Sequence, residues 1–97
     1  MTNRVRLRAR LVARGDLRYT PGGVAVLQAG LAYDGAVAEA GIERQLAFEL
    51  EAVAVGDAAQ RLQRLALGTG LDIDGFLAPR SQRSRSLRLH ITEFKAI

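Results

Sequence analysis

Seven consecutive residues carry the densest chemistry in this chain. Arg80-Ser81-Gln82-Arg83-Ser84-Arg85-Ser86 holds three cations and no acid. A guanidinium is planar and always charged, and its forked donors match the oxygens of a phosphate. The serines add hydroxyl donors and keep the stretch mobile. Segments 70–78 and 87–97 flank it and both alternate like strands. The seven residues therefore form the tip of a hairpin, a flexible basic arm. The chemistry they suit is phosphate binding. The plain alternative is a solvated Arg/Ser turn.

Other candidates are weaker. Arg88 stands at the base of the basic tip, and Arg14 and Arg18 flank the first bend of the chain. Bases stack on aromatic rings in single-strand binders. Tyr33 and Phe76 are the rings expected to be exposed for that purpose. Phe48 shares parity with Leu46 and Leu50 and is expected in the core. Arg4, Arg6, Arg8 and Arg10 alternate with Val5, Leu7, Ala9 and Leu11, so they face outward. They form either a second basic stripe or charge that protects a strand edge. His90 alternates with Leu89 and Ile91 and faces outward with no second histidine near it. Asp72 and Asp74 lie two apart on one strand face, without the partners that carboxylate catalysis or metal binding requires. No enzyme activity, metal or cofactor is expected.

Composition sets the frame. Ninety-seven residues, 48% hydrophobic, suit one domain over residues 1–97 with a modest core. The formal net charge is +4, and Lys95 is the one lysine among 14 cations. Residues 4–18 hold six arginines and one acid, residues 34–57 six acids and one arginine, and residues 80–95 five cations and one acid. Basic ends and an acidic middle predict a polarised surface. With 0 cysteines there is no disulfide and no thiolate ligand. No apolar run reads as a signal peptide or a membrane span, so a cytoplasmic protein without membrane attachment is expected.

Periodicity supplies the elements. Residues 4–13 form a first strand, with a bend at Arg14-Gly15-Asp16. Leu17-Arg18-Tyr19 is extended, and Thr20-Pro21-Gly22-Gly23 is a turn. Residues 24–33 form a second strand, and Asp34–Gly41 reads as a loop. Residues 42–55 form a third strand. Gly56 ends it, and Asp57 with Gln60 is spaced as a capping box for a short helix. Ala58, Leu62 and Leu65 share one face of that helix. A fourth strand turns Leu71, Ile73 and Leu77 inward. A fifth does the same with Leu87, Leu89 and Ile91. Three strands, a helix and two strands is the order of an all-β OB-fold, a five-stranded Greek-key barrel with a short helix between strands three and four. Gly30 and Gly75 fall inside strands, where a small barrel must bend sharply. In OB-folds the loop between strands four and five often contacts oligonucleotides, and here that loop is the basic one.

Two stretches add a resemblance. Leu17-Arg18-Tyr19-Thr20-Pro21-Gly22-Gly23 through Leu27 resembles the first hairpin of bacterial single-stranded DNA-binding proteins. Gly75-Phe76-Leu77-Ala78-Pro79-Arg80 through Ser84, with Leu87 to Ile91, resembles the primosomal replication protein N (PriB) family, short relatives of those proteins. The resemblance covers nearly the whole chain. It implies a homodimeric OB-fold that binds single-stranded DNA and acts with the PriA helicase and DnaT in replication restart. It carries the family's basic loop onto Arg80, Arg83 and Arg85, with Arg88 at its base. Two positions depart from the pattern. Ala47 stands where some members have a stacking aromatic, and Asp34 stands near a place sometimes basic. Two other functions fit the residues: a protein-interaction adaptor with little DNA binding of its own, and an RNA-binding OB-fold protein.

Overall fold

A computed structural model describes residues 1–97. Its elements are β1 (Val5–Arg14), β2 (Arg18–Tyr19), β3 (Ala25–Glu39), β4 (Ile42–Val55), α1 (Asp57–Leu62), β5 (Gly70–Pro79) and β6 (Leu87–Ala96). β1 pairs antiparallel with both β5 and β3, β3 with β4, and β5 with β6, while β4 and β6 run parallel. The circuit β1–β3–β4–β6–β5–β1 closes a five-stranded barrel. The two-residue β2 adds to the free side of β3. This is the OB-fold that the strand order implies.

Period-two alternation fills the barrel. Leu11, Leu27, Leu31, Leu71, Ile73 and Leu89 are fully buried, and no polar or charged residue is. Each buried leucine or isoleucine contributes ~1.5–3 kcal/mol relative to an exposed one. α1 stoppers one end with Ala58, Ala59 and Leu62. Arg61 fastens this helix from outside. It donates to Glu93 at 2.8 Å and to the Phe94 carbonyl at 3.1 Å, and it lies 4.7 Å over the Phe94 ring. The Arg61 hydrogen bond is the main cause that holds the Glu93 carboxyl below its usual range.

Two devices bend the strands. The β1–β3 register slips between Leu11 and Ala13, opposite Gly30. The β5–β6 register slips between Asp74 and Gly75. A Cβ at Gly75 would overlap the carbonyl oxygen of His90, so only glycine lets β6 pass this close.

Five expectations need correction. α1 ends at Leu62, so Leu65 packs against the core from the turn that follows and not from the helix. Asp34–Gly41 is not a loop. β3 and β4 stay paired from Val26↔Val55 to Glu39↔Ile42, beyond the reach of β1, and form a long two-stranded arm. Its turn is Ala40-Gly41, with φ of 52° and 78°. Positive φ at both central residues matches the twist of the strands they join. Phe48 is not core. It belongs to the inward-facing row, but that row leaves the barrel after Leu50, so the ring is 43% exposed and stacks on Tyr33 at 5.1 Å. Leu87, at the first position of β6, lies beyond the packed region and is 52% exposed. Asp57 does not cap α1. Gly56 does, at φ 73°, and no side chain takes part. Leaving β4 requires a backbone turn that glycine alone makes cheaply, so the cap falls one residue earlier.

Candidate nucleic-acid interface

The basic loop is compact. Arg80 N–H donates to the Ser86 carbonyl at 3.0 Å, and Ser84 N–H to the Ser81 carbonyl at 3.2 Å. Ser86 N–H donates to Ser84 Oγ at 3.0 Å. The expected flexible arm is thus a turn that satisfies part of its own backbone, as a loop with few neighbours must. Arg83 and Arg85 are exposed on it and form no ion pair. Arg80 is paired with Glu51 of β4, Nε to Oε1 3.2 Å. Arg88 is half-buried, and its Nε is buried without a hydrogen-bond partner.

Strand pairing extends this cluster across the barrel wall. Val53 pairs with Gln28 on one side and His90 on the other, and His90 pairs with Phe76. The row Gln28–Val53–His90–Phe76 lies on the outer side of the wall, because its neighbours Leu27, Ala52, Ala54, Leu89 and Ile91 face the core, although Val53 itself is covered and only 2% exposed. The rings of Phe76 and His90 stack at 4.7 Å. Burial, and then the charge of Arg88, pushes the His90 pKa down. The imidazole is therefore held neutral at pH 7 and presents an aromatic surface rather than a cation. On one side of the row lies Arg88, opposite Ala78. On the other lie Val26 and Val55, with Arg18 beside Val26. A patch about 14 Å along the strands, two steps of the strand repeat, and about as wide across β6, β4, β3 and β2 thus has Arg88 and Arg18 at opposite corners. It presents apolar and uncharged polar groups between cations at its ends.

Beside the strip is a shallow groove of about 400 Å³. Its floor is Ala13, Gly15 and Gly30, Glu49 and Glu51 stand along it, and Arg14 borders it as its one cation. The basic loop and the acidic groove share an edge, and the Arg80–Glu51 pair is the seam.

Not every sequence candidate reaches this surface. Arg80, Arg83 and Arg85 sit on the loop that joins the strands carrying Phe76 and Arg88, and Arg18 marks the far corner. Arg14 borders the groove, but its guanidinium donates to the Leu65 carbonyl, near the end of the barrel plugged by α1. Tyr33 faces the other side of the β3–β4 ribbon, in contact with Phe48 and near Arg10. Three of the four strand-one arginines are balanced by β5, and Arg10, opposite Gly70, is not. Arg4 lies 3.0 Å from Asp74, Arg6 3.6 Å from Asp74, and Arg8 3.8 Å from Asp72.

Comparison with known proteins fits this geometry. A family model described as another single-strand binding protein family matches residues 3–93. The replication restart protein PriB of Bordetella pertussis is 37% identical over 95 residues, which cover 98% of this chain and 89% of that protein. The Nitrosomonas europaea protein of the same name is 35% identical over 80 residues, 82% of this chain and 74% of that one. The chain belongs to the PriB family of replication restart proteins. The PriB structure from Ralstonia solanacearum superposes with a TM-score of 0.90 at 39% identity and covers all of both chains. The single-stranded DNA binding protein of Thermus aquaticus superposes at 0.78 with 28% identity, over 99% of this chain and 50% of that one.

Sequence reasoning passed over three members of the strip: Gln28, Val53 and His90. Each was legible as an outward position by parity. What singles them out is adjacency across three strands, which depends on register and on the parallel β4–β6 pairing.

Proposed function

We propose that this chain binds single-stranded DNA through the basic loop and the outward strip, as a non-enzymatic accessory protein of replication restart. The observation that carries the reading is the convergence of Arg83, Arg85 and Arg88 with the Phe76–His90 stack on one face of the barrel. The cations suit the phosphate backbone, and the rings suit unpaired bases. Membership of the PriB family supports the replication-restart role, and the similarity to a single-stranded DNA binding protein supports the choice of ligand. A restart helicase of the PriA type is the proposed working partner, together with DnaT.

A homodimer fits the same reading. β3 pairs with β1 only from Arg10 to Arg14, and β5 covers one edge of β1 from Val5 to Arg10. The other edge of residues 5–9 is left with unpaired backbone donors and acceptors, and a second copy of β1 would satisfy them. No helix is long and apolar enough to cross a membrane.

The acid-lined groove favours a second reading, an adaptor that meets its helicase partner more strongly than DNA. Fluorescence anisotropy of a labelled oligo-dT separates the two. Salt-dependent binding to oligo-dT in preference to duplex supports the first. Binding to the helicase with none to oligo-dT supports the second.

A further inference from the structure

We infer that Glu51 sets the strength of DNA binding by acting as an internal stand-in for phosphate, holding Arg80 out of the interface until a real phosphate displaces it. The inference rests on the proposed DNA-binding reading and adds to it a residue that opposes binding. Arg80 is the first residue of the basic loop, and its backbone closes that loop on Ser86. Its guanidinium does not extend with Arg83 and Arg85 but turns back over the barrel to the Glu51 carboxylate at 3.2 Å. The pair is reachable by solvent, with side chains 53% and 36% exposed. It is therefore an exchangeable contact and not a locked one.

The surroundings of Glu51 leave it suited to this role. Its cross-strand neighbour on β3 is Gly30, which offers no side chain to cover it. Ala52 pairs with Leu89, so Arg88 stands one step along β6 on the same outward side. Glu51 thus lies between the two arginines at the root of the loop. Glu49 repeats the negative charge further along the groove. An incoming phosphate that seeks Arg80 meets a carboxylate already in place. A strand that follows the groove meets two. The arrangement weakens binding in the groove and leaves Arg83 and Arg85 as the unopposed contacts.

The test is a double-mutant cycle on Glu51→Gln and Arg80→Ala. Glu43→Gln serves as a control, with the same loss of charge about 27 Å away along β4. The probe is a fluorescent oligo-dT titrated across a range of salt. Glu51→Gln should tighten binding at low salt by about two- to fivefold, the range set by an exposed ion pair. It should also steepen the salt dependence by about 0.7 unit, one further phosphate contact on a single strand. Arg80→Ala should abolish that gain, and Glu43→Gln should not produce it. Unchanged or weaker binding by Glu51→Gln, or an equal gain with Glu43→Gln, overturns the inference while DNA binding stands. Absence of oligo-dT binding by every variant removes the DNA-binding reading and this inference with it.

Discussion

Arg80, Arg83 and Arg85 look equivalent in the sequence, but the structure makes them unequal, and that difference is measurable. Arg83 and Arg85 carry no ion pair, whereas Arg80 is held by Glu51 at 3.2 Å. Each phosphate neutralised on a single strand adds about 0.7 to the slope of log affinity against log salt, which near 0.1 M corresponds to about fivefold in affinity per contact. Arg83→Ala with Arg85→Ala should then reduce the slope by about 1.4 and weaken binding about 25-fold at that salt. Arg80→Ala should cost less than either alone, because its charge is already partly spent on Glu51. Oligo-dT anisotropy at several salt concentrations reads both quantities, and denaturant melts should be superimposable, since all three side chains lie outside the core. If Arg80→Ala weakened binding as much as the double variant, the Glu51 contact would not compete with DNA and the argument would fail.

Three further outcomes follow from particular contacts. Gly75→Ala should destabilise the fold at or beyond the ~3 kcal/mol upper end of overpacking costs, seen as a lower urea midpoint. An unchanged midpoint would mean that β6 does not pass as close as described. Ala40→Asn should stabilise by about 1 kcal/mol, because an alanine at positive φ is strained and Asn-Gly suits this turn. Equal or lower stability would speak against the paired arm. His90 titrates below its ordinary value, so the unfolded chain binds the proton more readily. Its contribution to stability is present above the unfolded value of about 6.5 and is lost as pH falls through the window beneath it. Proton NMR of the one histidine should give the lowered value in the free protein and a higher one with oligo-dT bound, since a phosphate near Arg88 favours the imidazolium. No movement on adding saturating oligo-dT would place the strand elsewhere.

The barrel was legible because its causes are local. Strict alternation in Arg4–Leu11, glycine inside the fourth strand and the helix after Gly56 each point to a small closed barrel without tertiary information. The basic loop was legible for the same reason, as seven contiguous residues. The arm was hidden because Asp34–Gly41 is built largely of glycine, alanine and acids, which read as a loop, and Ala36-Val37-Ala38 carries no period-two alternation to mark it as strand. Phe48 shows the limit of parity, which gives the face a residue points to but not where the barrel beneath that face ends. Arg14 was grouped with the basic loop by its place near the first bend and Tyr33 by its expected exposure, yet the Arg14 guanidinium is held by the Leu65 carbonyl and Tyr33 stacks on Phe48. Glu51 drew no notice because its importance lies in a contact with a residue 29 positions away in the chain. The strip of Gln28, Val53, His90 and Phe76 is likewise a product of register.

The most direct test of the central claim is to map the DNA contact on the folded protein. Backbone amide and aromatic NMR signals should be followed while oligo-dT is added at low salt. The account predicts shifts concentrated in residues 80–88, in the Phe76 and His90 rings, and at Val53, Gln28 and Arg18, with Arg4, Arg6 and Arg8 unmoved. Shifts confined to the β3–β4 arm around Tyr33 and Phe48, or to the β1 arginines, would contradict it.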